Sequence, residues 1–183
     1  MPAPTRTPRD RWLDEGLRAL AAGGPDAVRV EALAQALGVT KGGFYWHFSD
    51  RSALLVEMLD RWEHMMVDAV IERVESGGGN ARLRLRRLFG LAATVDDQMG
   101  IELAVRDWGR RDAHVAERLR RVDNRRMAYM RGLFGELFAD PADVEMRCLM
   151  VMSLFVGNHH IAAEHGRRTR SAVMKDTLRW LLS

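Results

Sequence analysis

The stretch Leu37-Gly38-Val39-Thr40-Lys41-Gly42-Gly43-Phe44-Tyr45-Trp46-His47-Phe48 sets two adjacent glycines beside an aromatic cluster, with one lysine and one histidine. Glycine in a helix interior costs roughly 1 kcal/mol against alanine, so a helix of this composition is a poor structural prop. What two missing side chains provide is close approach of the backbone to another molecule. Just upstream, Val30, Leu33, Ala34 and Leu37 follow i, i+3, i+4, i+7 spacing and mark one face of a short helix. Gly38 can end that helix in a left-handed conformation. Val39 can plug the turn, and Thr40 can cap the next helix with its hydroxyl. Helix, glycine turn, helix is the helix-turn-helix pattern, whose second helix enters the DNA major groove.

At these residues the chain resembles the TetR/AcrR transcriptional regulators. Their signature is Gly-Val-Ser/Thr-Lys-Gly-x-Leu/Phe-Tyr-x-His-Phe, then a basic residue and a leucine. Here it reads Gly38 through Phe48, then Arg51 and Leu54. The resemblance is strong from residue 7 to about residue 60, and beyond that rests only on helical character and length. It implies that Tyr45 and His47 contact the phosphate backbone and that Arg51 lies near it. It also implies that the last two helices pair with those of a second subunit, and that regulation is by repression. Arg29 stands where many relatives have a threonine that caps the second helix and touches phosphate. That departure removes the cap, although a longer cation can make its own phosphate contact.

Residue chemistry adds to this list. Lys41 is the one cation between Thr40 and Phe48, and it can reach a phosphate or the acceptors of guanine. Thr40 can donate to a phosphate or meet a base. Gly42, with Gly43 beside it, lets the backbone approach DNA. The indole N–H of Trp46 can serve a phosphate, whereas Phe44 and Phe48 are expected to seat the helix. Tyr45 could equally pack its ring in the small core with the hydroxyl in water. Residues 1–51 carry seven cations (Arg6, Arg9, Arg11, Arg18, Arg29, Lys41, Arg51) and six acids (Asp10, Asp14, Glu15, Asp26, Glu31, Asp50), a net of +1. DNA binding must therefore rest on where the charge is placed, not on bulk attraction.

The whole chain, 183 residues with a formal net charge of +3, is long enough to bury a sizeable core. Its single cysteine, Cys148, excludes an internal disulfide framework and lies in an apolar run that suits an inert thiol. No run approaches the length of a membrane span and no signal-peptide region opens the chain, so it reads as a soluble, cytoplasmic protein.

No segment alternates with period two, so the chain reads as all-α, about nine helices. Thr7-Pro8 opens the first helix and Gly23-Gly24-Pro25 closes it. The second and third helices are expected over 30–37 and 40–47. Ser49-Asp50 opens a long one that runs to the breaker Gly77-Gly78-Gly79. Further helices are expected near 85–95, 101–109, 115–138, 142–165 and 171–182, with Asp140-Pro141 as a cap-then-proline start. A DNA-binding domain, 1–49, is followed by a ligand-binding and dimerisation body, 50–183.

Within that body the run Cys148–Val156 is apolar all round. Such a helix is buried on more than one side, either wholly inside the core or between its own core and a partner subunit. Phe89, Met99, Trp108, Met127, Met130, Phe134 and Phe155 are the large adaptable side chains from which an effector cavity would be drawn. Their aromatic content points to a flat or apolar ligand. Trp108, in the charge-dense run Arg106–Asp112, either anchors a salt-bridged junction or faces that cavity.

His160 and Glu164 would share a helix face, but two ligands without a third make a poor metal site. No phosphate loop, His-Glu-x-x-His or serine elbow is present. The expectation is a homodimeric, non-enzymatic repressor of double-stranded DNA, with no cofactor or metal and released by a small molecule. A regulator without such a ligand is the alternative, and a small helical enzyme using His160 and Glu164 the third reading.

Overall fold

The computed structural model describes residues 7–93 and 96–183. Its helices are α1 (Arg9–Gly23), α2 (Val30–Leu37), α3 (Lys41–Phe44), α4 (Arg51–Glu63), α5 (Ala69–Ser76), α6 (Ala81–Ala92), α7 (Asp96–Gly109), α8 (Ala113–Gly135), α9 (Pro141–Gly157) and α10 (Arg170–Trp180). A π turn over His64–Asp68 joins α4 to α5 without a break, so the described residues form nine continuous helices and no strand. The all-α expectation holds. No helix among the described residues is long and apolar enough to cross a membrane.

The chain folds as two compact units. One comprises residues up to Asp68 together with Asp96–Arg121; the other comprises Ala69–Val95 and Val122–Ser183. The first boundary between these units falls at the π turn.

In the first unit, Trp12, Leu17 and Leu20 of α1 are buried with Leu33 of α2, Phe44 of α3, and Leu54, Met58 and Trp62 of α4. Helices α1 and α4 cross closely at Gly16, where a Cβ would stand 2.7 Å from the Met58 sulfur. Charge ties the rims of the same crossing. Arg61 bridges Asp10 at 3.0 Å and Asp14 at 2.9 Å, and Arg9 grips Glu57 through both nitrogens of its fork. Helix α7 contributes Glu102, whose carboxylate is fully buried and accepts from Trp62 Nε1 at 2.9 Å and Arg106 Nε at 2.8 Å. Trp108 is buried in this unit, and Arg111 pairs with Asp107 one turn away.

The second unit packs Leu85 and Phe89 of α6, Met130 and Phe134 of α8, Cys148 and Val151 of α9, and the C-terminal Leu181 and Leu182. Burial pushes the Cys148 thiol up to about 11, as befits an inert side chain. Arg147 of α9 donates to the Leu181 carbonyl at 2.5 Å and lies over the Phe138 ring at 3.7 Å, anchoring the chain end. Glu75 accepts from Tyr129 Oη at 2.6 Å, which holds its carboxyl below the ordinary range.

Several boundaries depart from expectation. Pro8, not Thr7, sits at the N-cap of α1, and neither Thr7 nor Thr40 caps a helix with its hydroxyl. Helix α3 is one turn long, whereas the sequence predicts helix throughout 40–47. Helix α9 stops at Gly157 rather than 165. His160 and Glu164 therefore share no helix face, and both are exposed. The described residues contain no group of three potential metal ligands close together. Asp50, Asn80, Asp140 and Thr169 are side-chain caps.

Candidate nucleic-acid interface

Helix α2 ends as its sequence demands. Gly38 adopts φ 68°, ψ 32°, the Val39 N–H donates to the Ala34 carbonyl at 2.9 Å, and the Gly38 N–H to the Gln35 carbonyl at 3.1 Å. This pair of bonds is a Schellman motif, and only a residue tolerant of the left-handed region closes it without strain. The turn delivers α3 at a fixed angle to α2.

One aromatic ring seats α3. Phe44 is fully buried, stacks on Phe48 at 5.1 Å and meets Trp12 edge-on at 5.5 Å. Such contacts add to the burial energy of the rings themselves. The two glycines then take different roles. Gly43 is half-buried above Trp12, where an added Cβ would lie 3.7 Å from the indole. Gly42 faces out, and a Cβ there would meet only Thr40 Oγ1, at 3.8 Å. The fold therefore has room for a side chain at Gly42.

Thr40, Lys41, Gly42, Tyr45 and Trp46 are all exposed, Tyr45 by 54% and Trp46 by 72%. Tyr45 thus projects into solvent, with an edge contact at 5.2 Å to Phe44. The two side chains are adjacent in sequence and together expose apolar surface of the kind found at contact sites.

The Lys41 ammonium donates to the carboxylate of Glu31 on α2. That bond raises the lysine pKa and lowers that of the glutamate below the usual carboxylate range, with the charge of Arg29 adding to the latter. Arg29 is exposed at the N-cap of α2, and its own side chain caps nothing.

His47 and Arg51 are bound to the protein's own backbone. The His47 ring meets the Thr7 carbonyl through Nε2 at 2.8 Å. Arg51 donates through Nε to the Val28 carbonyl at 2.6 Å and through Nη2 to that of Pro25. Both hold segments that flank α3. Glu31 is the member of this site that the sequence reading counts only as a charge. Its position in the first turn of α2, one helix away from Lys41, is the available signal.

The seven residues named for an effector cavity divide between the units. Met99 and Trp108 are buried in the first, and Phe89, Met130 and Phe134 in the core of the second. Met127 packs against that same core, and Phe155 lies under the Arg126 guanidinium at 5.5 Å.

On the second unit, α9 and α10 present a different surface. Leu149 is 61% exposed and Trp180 63%, and Met146 and Met150 are exposed with them. A groove of about 350 Å³ between these helices is lined by Leu149, Met150, Ser153, Leu154, Thr177, Trp180 and Leu181.

Residues 13–58 match the model of the bacterial regulatory proteins of the tetR family. Over 92 residues, 49% of this chain, the sequence is 40% identical to the HTH-type transcriptional regulator AcrR of Shigella flexneri, a stretch that spans 43% of that protein. Among solved structures, a transcriptional regulator from Saccharomonospora viridis in complex with choline superposes with a TM-score of 0.76 at 19% identity, covering 93% of each chain. The TetR family regulator PfmR of Thermus thermophilus gives 0.71 at 20% identity, over 94% of this chain and 97% of that one. At such identities the structural likeness speaks for the fold, while the helix-turn-helix carries the sequence match. Over residues 13–58 the chain is thus similar to the tetR-family bacterial regulatory proteins, it spans less than half the length of the curated relative it matches, and its fold is that of the solved regulators.

Proposed function

We propose that this regulator binds a palindromic operator as a homodimer, represses the adjacent promoter, and is released by a small apolar or aromatic effector. The observation that carries DNA binding is the outward face of α3. Thr40, Lys41, Gly42, Tyr45 and Trp46 project from a turn whose inner face is locked by Phe44, a division of labour that a merely structural helix has no need of. Tyr45 and Trp46 would meet the sugar-phosphate backbone, and Lys41 a phosphate or a guanine edge. His47 and Arg51 act one step back, fixing the loops on which the reading helix is mounted, and Arg29 adds an exposed cation at the start of α2.

A second copy of the chain is the occupant we assign to the α9–α10 surface. Its exposed leucine, methionines and tryptophan form an apolar face of the kind that marks an interface. A two-fold pair sets two reading helices against half-sites one helical turn apart. The Met- and Phe-rich core of the second unit supports an apolar ligand, although the Saccharomonospora viridis protein is seen with choline, a cation. In this reading residues 1–49 are the DNA-binding domain and 50–183 the ligand-binding and dimerisation body.

Selection of bound duplexes from a random library, followed by gel shift, tests DNA recognition. Lys41→Ala is expected to weaken binding to the selected duplex by about three- to tenfold. Unchanged affinity in a folded variant would remove Lys41 from the interface. Leu149→Glu is expected to convert the dimer to a monomer in sedimentation velocity while leaving the helical content intact, because a charge at an exposed position harms only the assembly. Wild-type protein that is monomeric at micromolar concentration would overturn the dimer. For the effector, a compound that both raises the melting temperature and releases DNA is expected among flat apolar molecules.

A further inference from the structure

We infer that Glu31 is an intramolecular competitor of DNA for Lys41 and thereby sets how strongly the reading helix holds any phosphate backbone. This rests on the DNA-binding reading above. Lys41 is the cation of the outward face of α3, and in the free protein its ammonium is already bonded to the Glu31 carboxylate. Both side chains are exposed, the lysine by half and the glutamate by two thirds, so neither is needed to fill the core. The pair joins α2 to α3 across the Schellman turn, yet that turn is closed by backbone bonds and α3 is seated by Phe44. The ion pair is therefore not what holds the motif together.

Its consequence lies in the exchange. A free lysine that meets a phosphate releases a counterion condensed on the DNA, which steepens the salt dependence of binding. A lysine leaving a carboxylate to meet a phosphate gains less, because the Lys41–Glu31 pair brings no net charge to the DNA and the bond given up offsets part of the new contact. The abandoned negative charge also repels the phosphate that Lys41 would meet. Random DNA offers Lys41 only such phosphates, so the penalty falls on every non-specific complex. An operator that offers additional base and aromatic contacts is penalised by the same amount but has more to set against it. With a net charge of only +1 over residues 1–51, one such carboxylate is a large part of the module's electrostatic balance.

The test is Glu31→Gln, which keeps the size and removes the charge. Fluorescence anisotropy is measured with the selected duplex and with a random-sequence duplex of equal length, across a salt series. The variant is expected to bind random DNA about threefold more tightly or better at low salt, and to steepen the salt slope by about one unit. Lys41→Ala is expected to cost more in the Glu31→Gln background than in the wild type, since only there does the lysine contribute its full charge. If Glu31→Gln leaves affinity and slope unchanged, or weakens binding, while Lys41→Ala still weakens it, the competition is refuted and the DNA-binding reading stands. If the wild-type protein binds neither duplex at any salt concentration, both fall together. A thermal melt of Glu31→Gln matching the wild type shows that the fold is not the cause.

Discussion

Phe44→Ala is expected to destabilise the N-terminal unit by about 3–5 kcal/mol, the usual range for deleting a fully buried ring. The ring packs against both Trp12 on α1 and Phe48 beyond α3. Neighbouring side chains cannot easily close the gap, because α1 and α4 are already in contact at Gly16 and Met58. Helix α3 has a single turn, too short to persist in water without packing. Losing its anchor should therefore unfold the reading helix before anything else, and DNA binding should vanish at temperatures where most of the helical signal remains. Chemical denaturation followed by circular dichroism, with DNA binding followed in parallel, measures both effects. A loss below about 1 kcal/mol would mean that Phe44 is not the residue that seats α3.

Gly42→Val is expected to leave the fold intact and to reduce operator affinity by at least a hundredfold, about 2.7 kcal/mol. The space beside Gly42 is open except for Thr40 Oγ1 at 3.8 Å, so the protein itself can accept the side chain. Valine is also a better helix former than glycine. Any large loss must then come from what approaches α3 from outside. Gel shift with the selected duplex, beside a thermal melt, separates the two effects. A variant that binds normally would show that DNA does not come close to the backbone here. Gly43 gives the contrasting case, because it faces Trp12 and its replacement acts on the fold.

What is legible in the sequence is what local chemistry decides. Helix α2 spans the expected 30–37, since its apolar spacing and Gly38 act within a few residues of each other. The caps at Asp50 and Asp140 and the glycine break after Ser76 are local in the same sense. The length of α3 is not legible, because Tyr45, Trp46 and His47 are compatible with helix, while the bonds from the His47 and Phe48 amides to the Phe44 carbonyl continue the chain as turns. Helix α9 reads as too long because nothing polar enough to stop it appears before Asn158, and its termination at Gly157 depends on the loop that follows. The contacts of His47 with Thr7, of Arg51 with Val28, and of Lys41 with Glu31 span 40, 23 and 10 residues. No periodicity reports such pairings, and they are the ones that distinguish a cation free to meet DNA from one already engaged.

The five tryptophans sort sharply by solvent access. Trp12, Trp62 and Trp108 are interior, while Trp46 and Trp180 stand on the reading turn and on the α9–α10 face. An aqueous collisional quencher such as iodide should reach only the last two. Replacing either with phenylalanine leaves a single accessible emitter, so the protein carries its own optical probe for each proposed contact. Shielding of the Trp46 emission would follow DNA titration, and shielding of the Trp180 emission would follow protein concentration, with no label attached to either surface.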